Sequence, residues 1–420
     1  MRTFTFKSLF LTVLFVLLGS LAIQAADDGL ITKQITLKLN EAGTLPNMIS
    51  ESQKYLITNL KIVGKINGTD LKFIREMAGR DFNMEKTDGK LSILDLSEAK
   101  IVAGGSAYVS YYGDTKYTSN DELGYYVFEG CCGLTSLTIP SCVTEIGNWA
   151  FFGCSGLTSL TIPSGVTSIG DSAFSGCSGL TNLTIPSGVT SIGYYAFDGC
   201  SRLTSLTIPS SVTEIGGYAF SGCSGLTSLT IPSGVTEIGG YAFYDCSGLT
   251  SLTIPSSVTE IGRYAFYGCS GLINLTIPSG VTEIGSEAFE GCSGLTSLTI
   301  PSSVTSIGDW AFEGCSGLTS IYVYTKNLPE LGFNVFFGCN AKNCTVYVPK
   351  GTIDDYKLSK FGYFEKIVEF DASGIDKVTT STNAKEVSRY SANGQRLSAP
   401  AKGLNIVKYS DGSVKKVVVQ

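Results

Sequence analysis

Nine cysteines constrain this chain more tightly than any other feature. Cys131, Cys154, Cys177, Cys200, Cys223, Cys246, Cys269, Cys292 and Cys315 follow one another at 23-residue intervals, and Cys339 comes 24 residues later. A fixed period of that length marks an architecture in which each unit contacts chiefly its neighbours. One unit runs from Cys154 to Gly176. Leu157, Leu160 and Ile162 have strand spacing, and Pro163 ends the strand because it cannot donate to a central ladder. Val166 and Ile169 form a second short apolar stretch on the opposite side of the coil. Gly170 permits a turn, Ala173-Phe174 predicts one tight helical turn that plugs the core, and Gly176 returns the chain to the next Cys. One unit cannot bury its apolar face alone. Stacked copies bury it together with strands about 4.8 Å apart, so the regular units predict roughly 40 Å of solenoid.

The flanks extend the same stack. The strand spacing recurs at Ile57, Leu60 and Ile62 and at Leu91, Leu94 and Leu96, with helical character between them from Asp70 to Met77. Degenerate copies follow at Leu318 to Val323 and Val346 to Pro349, and Ile367-Val368 forms the last strand. The chain begins with Arg2 and Lys7, an apolar run through Leu9 to Leu18, and small residues before Ala26-Asp27-Asp28, which is the pattern of a secretory signal peptide cut after Ala25. The expected organisation is a signal peptide over 1–25, an N-terminal capping region over 26–125, the array over 126–338, a C-terminal capping repeat over 339–370, a small polar linker over 371–383 and a small β tail over 384–420. Asn393-Gly394 and Asp411-Gly412 predict two hairpins in that tail. No later stretch is long enough to span a membrane, so no span is expected after signal cleavage.

Composition narrows the function. The 420 residues contain no His, which removes Ser-His-Asp and Cys-His catalysis and His-based metal sites. A net charge of −6 argues against a nucleic-acid partner. No phosphate loop or nucleophile elbow occurs, and neither a catalytic residue, a metal nor a cofactor is expected. Carboxylate-pair chemistry survives these exclusions.

Five features are candidates for function, each with a structural counter-reading. The Cys row reads as small buried plugs, because equivalent side chains in stacked units run parallel and lie too far apart for disulfides. The vicinal pair Cys131-Cys132, then Cys142, and Cys339 with Cys344 lie outside the regular row or near its ends, and Cys339–Cys344 is the best disulfide candidate. Thr158, Ser159 and Thr161 and their equivalents form an uncharged hydroxyl face, which either hydrogen-bonds a protein or glycan or simply suits a parallel strand. Two positions vary between repeats where core positions do not. Two residues after the turn Gly the series is Trp149, Ser172, Tyr195, Tyr218, Tyr241, Tyr264, Glu287, Trp310; just after Ala-Phe it includes Phe152, Tyr244 and Tyr267. Trp149, Tyr195, Tyr218, Tyr241, Tyr264, Trp310, Tyr244 and Tyr267 are the candidate binding residues, since aromatics with polar tips make good contacts. The counter-reading is that each ring packs over its neighbour. Residues 126–320 carry thirteen Asp/Glu against two Lys/Arg, a net of −11, with Glu145, Glu214, Glu237, Glu260 and Glu283 at one repeat position. No calcium-loop spacing appears, so this reads as a solvated acidic edge. Last, Tyr108, Tyr111, Tyr112, Tyr117, Tyr125 and Tyr126 precede the array, as a contact loop or a packed cap.

The unit Cys-Ser-Gly-Leu-Thr-Ser-Leu-Thr-Ile-Pro-Ser-x-Val-Thr-x-Ile-Gly-x-x-Ala-Phe-x-Gly resembles the BspA-like leucine-rich repeat over about residues 123–340. The tail from Ser388 to Arg396, with Lys402 to Val407, resembles the sorting domain of type IX secretion cargo. The resemblance implies a leucine-rich repeat solenoid, β-rich with short helical turns and a parallel sheet along one face, plus a small C-terminal β-unit. It further implies a bacterial, secreted or cell-surface, non-catalytic protein in adhesion, whose partners are host extracellular matrix or mucosal glycoproteins or other microbial surfaces. An extracellular glycan-binding module, a carboxylate-based glycoside hydrolase and a structural surface component stand as alternatives.

Overall fold

A computed structural model of the protein describes residues 29–372 and, beyond them, the strands Glu386–Ser391, Arg396–Leu397, Gly403–Tyr409 and Val414–Val419. The expected signal peptide and residues 373–383 of the expected linker lie outside the described residues. The chain divides into two compact units, one ending at Glu369 and the other beginning at Phe370. In the second unit the four strands form one antiparallel sheet, with Glu386–Ser391 paired to Arg396–Leu397 and Gly403–Tyr409 paired to Val414–Val419.

The first unit is a solenoid whose coils are joined by three parallel ladders. The first comes from the Leu-rich strand. Its register advances one repeat per coil, so Leu137 lies opposite Leu160, Leu183 opposite Leu206 and Leu275 opposite Leu298. The second is only two residues wide. Ile146, Ile169, Ile192 and Ile215 pair in turn, and Ile238, Ile261, Ile284 and Ile307 do the same. Side chains alternate along a strand, so Leu160 and Ile162 point in and are buried while Ser159 and Thr161 point out and are exposed.

The third ladder replaces the expected helical turn. Around Ala173-Phe174 the backbone makes a run of i→i−3 turns, with the N–H of Ala173, Ser175 and Cys177 donating to the carbonyls of Gly170, Ser172 and Phe174. Ser172 has φ 52°. A left-handed residue cannot continue a right-handed helix, so the turns never join into one. The N–H groups of Ser172, Phe174 and Gly176 instead donate to Tyr194, Ala196 and Asp198 of the next coil at 2.7, 2.8 and 2.7 Å. Gly176 has φ 72°, as a chain reversal there requires. The turn Gly at position 170 has a different reason from the one its turn suggested. Its φ is ordinary, but a Cβ there would stand 2.4 Å from Asn148 Oδ1, so close approach of the coils excludes a side chain.

The core follows from the period. Phe128, Phe151, Phe174, Phe197, Phe220, Phe243, Phe266, Phe289, Phe312 and Phe336 form a column of buried rings. Their centroids lie 5.2 to 5.9 Å apart and their planes within 12°. Burying each Phe side chain contributes about 1.5–3 kcal/mol. Each row cysteine sits buried beside this column. The Sγ–H groups also donate to the Phe carbonyl one coil back, from Cys154 to Phe128 at 3.0 Å through Cys315 to Phe289 at 3.2 Å. The cysteine is therefore a plug with a donor, which a purely apolar residue would not supply.

The expected Cys339–Cys344 disulfide is absent: both thiols are free and buried. The physical reason is that Cys339 still keeps the row's geometry, its thiol donating to the Phe312 carbonyl at 3.2 Å.

The N-terminal cap satisfies the carbonyls that the first coil leaves open. Strands β1 (Ile35–Leu39), β2 (Asn59–Ile66) and β3 (Ile93–Ile101) extend the first ladder. Helix α1 (Gly68–Met77) opens with a capping box formed by Asn67 and Asp70. Its Arg75 is fully buried and donates to the carbonyls of Tyr126 and Val127 at 2.6 and 3.0 Å. Arg80 donates to Gly130 at 3.0 Å. Two arginines thus close the end of the third ladder where no preceding coil exists.

Burial pushes the row thiols up, Cys200, Cys246 and Cys292 to about 12, so little thiolate is present at neutral pH. Brief iodoacetamide treatment of the native protein is expected to label Cys132, which is exposed, and to leave the row unlabelled until denaturant is added. Peptide mass spectrometry reads the sites. Rapid native labelling at Cys200 or Cys246 would contradict the buried column.

Candidate functional site

The variable position of the third ladder carries the left-handed residue in every coil. Tyr126, Trp149, Ser172, Tyr195, Tyr218, Tyr241, Tyr264, Glu287, Trp310 and Asn334 all have φ between 50° and 62°. Left-handed backbone costs a residue with a Cβ about 1–2 kcal/mol, and Gly or Asn tolerate it best. Aromatic residues occupy the position in seven of these ten coils, although backbone preference favours something smaller.

The geometry settles how the rings relate. Tyr195, Tyr218, Tyr241 and Tyr264 stack face to face, with centroid separations of 4.4, 4.2 and 4.5 Å and planes within 18°. Tyr244 and Tyr267 form a shorter parallel stack at 4.7 Å, tilted against the first. Each ring therefore packs over its neighbour in the next coil. The ring faces are used within the stack, where Tyr218, Tyr241 and Tyr264 stay half-buried. Desolvation, then hydrogen bonding with Tyr241 and the neighbouring phenols, pushes the Tyr218 hydroxyl up to about 12. The Tyr218 phenol is thus a neutral donor and acceptor at neutral pH.

The ridge has defined ends. Ser172 interrupts it, leaving Tyr195 39% exposed. Upstream, Trp149 stacks on Tyr126 at 5.1 Å and Tyr126 on Tyr111 at 5.1 Å. Tyr111 belongs to a hairpin of β4 (Gly104–Tyr111) and β5 (Asp114–Thr118). The Tyr-rich insertion therefore divides its roles. Tyr108 is buried and its hydroxyl donates to the Tyr125 carbonyl at 2.8 Å, whereas Tyr112 at the hairpin tip is 95% exposed. Downstream, the Arg263 guanidinium lies 4.6 Å from the Tyr264 ring centre and 3.2 Å from Glu287. Trp310 stands apart from the stack, edge-on to Phe333 at 5.8 Å.

The acidic edge adjoins this ridge. In the second ladder Glu237 lies opposite Glu260 and Glu260 opposite Glu283. Desolvation and these two neighbours raise Glu260 above the usual carboxylate range. Glu290 is pushed up to about 7, first by desolvation and then by Glu313 and Glu287. The hydroxyl face is partly committed to the fold. Thr158, Thr204, Thr250 and Thr296 each donate to a backbone carbonyl 23 residues back at 3.0–3.2 Å. Among the described residues no group of three or more Cys, Asp or Glu is placed to hold a metal ion.

Sequence reasoning placed Tyr126 in the Tyr-rich segment and not at the head of the ridge, and it missed Tyr194 and Arg263 in the residue before the ridge position. That neighbouring series, Asn148, Asp171, Tyr194, Gly217, Gly240, Arg263, Ser286, Asp309, was legible from the same alignment of repeats. The left-handed backbone was not, because nothing about Tyr or Trp signals it.

Residues 121–250 and 236–363 match the family model described as BspA type leucine rich repeat region, in six copies. No curated protein matches the chain. Among solved structures, a leucine-rich repeat protein from Bacteroides ovatus is 26% identical over 63% of this chain and 90% of its own, with a TM-score of 0.29. A leucine rich cell surface protein from Faecalibacterium prausnitzii is 25% identical over 69% of this chain and 87% of its own, with a TM-score of 0.37. The leucine rich repeat protein of T. pallidum is 29% identical over 42% and 72%, with a TM-score of 0.31.

Two measurements test the site's physical chemistry. Tyr218→Asn is expected to unfold at higher urea than Tyr218→Ala, retaining about 1 kcal/mol more stability because Asn accepts the left-handed backbone. Equal midpoints would remove backbone strain from the account. A glutamate whose folded pKa lies above its unfolded value loses stability as pH rises between the two. Melting temperature is therefore expected to fall from pH 5 to pH 8, with a smaller fall in Glu290→Gln. An identical pH profile in that variant would show that Glu290 is not the group responsible.

Proposed function

The chain belongs to the BspA-type leucine-rich repeat family, and from that premise we propose that it is a secreted or surface-displayed binding protein whose aromatic ridge contacts host or microbial macromolecules. The observation that carries this reading is the ridge itself. Tyr and Trp occupy a backbone conformation that disfavours them, in coil after coil, and their rings are half-buried or exposed. Backbone strain held in place by its surroundings is characteristic of functional positions. Stacking holds each ring in one orientation, so a partner meets a rigid surface and less side-chain entropy is lost on binding. The one-coil spacing repeats the same contact along the array, and repeated weak contacts combine into avidity.

The proposed ligands are matrix or mucosal glycoproteins or other microbial surfaces, and the proposed role is adhesion without catalysis. Export by the N-terminal signal and retention through the C-terminal β-unit as a sorting domain belong to the same proposal. Among the described residues no helix is long and apolar enough to cross a membrane, which is compatible with it.

The test uses the mature chain on surfaces coated with fibronectin, fibrinogen and mucin. Changing Tyr195, Tyr218, Tyr241 and Tyr264 together to Asn keeps the backbone conformation and removes the rings. Binding to at least one coating, weakened about tenfold or more in the variant, is expected. Unchanged affinity in the variant would remove the ridge as the contact surface.

A further inference from the structure

Between Asn148 and Asp309, two successive coils lack a side chain where the others carry one. Gly217 and Gly240 stand immediately before the ridge residues Tyr218 and Tyr241. A groove of about 540 Å³ opens over them. Tyr195, Tyr218 and Tyr241 line it on the ridge side, and Glu214 and Glu237 line it on the second ladder. Tyr194 also lines the groove, and in the coil after Gly240 the same repeat position is filled by Arg263.

We propose that this groove takes an extended polypeptide segment bearing Lys or Arg side chains. The proposal rests on the reading of the ridge as a contact surface and names the chemistry of the partner.

Charge is the first argument. Glu214 and Glu237 are exposed, and the row continues through Glu260 and Glu283 at one-coil intervals. Like charges opposite one another on adjacent strands destabilise a sheet. Among the described residues none of these four carboxylates has an ion pair with Lys or Arg. The two arginines between residues 126 and 320 do not relieve them, since Arg263 is paired with Glu287 and Arg202 has no ion pair. A cationic segment would supply the missing counter-charge.

The chain's own Arg263 provides the second argument. It occupies the repeat position that Gly217 and Gly240 leave bare. Its guanidinium packs on Tyr264, hydrogen-bonds that hydroxyl at 3.0 Å and pairs with Glu287. Tyrosine beside a carboxylate thus already holds a guanidinium one coil from the groove. Arg and Lys can lay their apolar stems along ring edges while the charged head meets a carboxylate.

Shape is the third. The carboxylates repeat along the solenoid axis about every 4.8 Å, so a ligand that meets two of them lies along the axis in an extended form. The two glycines let its backbone come close to the floor.

The test is fluorescence anisotropy of the full mature chain with a labelled octapeptide of alternating Lys and Thr, at about 0.15 M salt. A Glu-Thr octapeptide is the charge-reversed control. The Lys peptide is expected to bind and the Glu peptide not to. Glu214→Gln with Glu237→Gln should weaken binding about fivefold. Gly217→Tyr with Gly240→Tyr fills the groove as Tyr194 does, leaves the charge unchanged, and should weaken binding at least as much. Glu145→Gln with Glu330→Gln makes the same charge change toward the ends of the row and should alter it less than twofold. Circular dichroism melts establish that each variant is folded.

Equal losses in the two carboxylate variants would reduce the effect to diffuse attraction by the acidic array and overturn the groove. Full binding by the glycine variant, absence of binding to the Lys peptide, or displacement of the peptide by a neutral oligosaccharide would overturn it as well. These outcomes are separable from the fate of the ridge. Loss of matrix binding in the ridge variant together with groove-independent peptide binding leaves the ridge standing and removes only the cationic segment.

Discussion

The array depends on one unusual backbone arrangement. In each regular coil the ridge residue turns to a positive φ, which breaks the run of turns and frees the N–H groups of that residue, of Phe and of the following Gly (Asp245 in one coil) to bond the next coil. Without this step the Ala-Phe segment could satisfy its own N–H groups as a helix, and the coils would be tied by two ladders instead of three. The Phe column, the Cys donors and the flush contact at Gly193 all lie within reach of that third ladder. A Cβ on Gly193 would stand 2.6 Å from the carbonyl carbon of Gly170, so the coils could not close to their observed spacing.

The same arrangement explains why the candidate surface is where it is. The rings at this position stay half-buried or exposed, and stacking coils in register brings them over one another. Keeping register therefore converts one variable position into a continuous ridge. Ring stacking between Tyr195 and Tyr264 offsets part of the strain, since offset aromatic pairs contribute about 0.5–1.5 kcal/mol each. Ser172 shares the left-handed backbone but has no ring to stack, and there the ridge is broken.

Much of the fold was legible in the sequence because a duplicated unit repeats its evidence. The Cys period set the coil length and the Leu spacing the first ladder, while Val166 and Ile169 read only as a second apolar stretch, of which Ile169 turns out to carry the second ladder. The third was expected as a helical turn, since Ala-Phe among small residues carries no sign of a left-handed neighbour. The Cys row was legible as a plug but not as a donor, because the acceptor is a Phe carbonyl 26 residues earlier and comes into reach only when coils stack. The Cys339–Cys344 pair was the best disulfide candidate in the sequence, whereas both thiols are free and buried and Cys339 donates to Phe312 in the manner of the row. At the site, the eight candidate aromatics were visible as variation against a constant background. The groove beside them was visible only as two glycines, whose meaning needs the depth of the side chains on either side.

The acidic row sharpens what kind of surface this is. A solenoid made by duplication repeats its charges as faithfully as its core, so an unpaired Glu in one unit becomes a line of unpaired Glu. Desolvation and then its two neighbours in that line raise the proton affinity of Glu260, which weakens the fold near neutral pH. Yet coils at Ser168, Ser191 and Ser306 carry Ser at the same position in place of Glu. Duplication alone thus does not dictate the charge. The consecutive run from Glu214 to Glu283 coincides with the uninterrupted Tyr stack and with the two glycines, so three independent departures from the repeat converge on the same few coils.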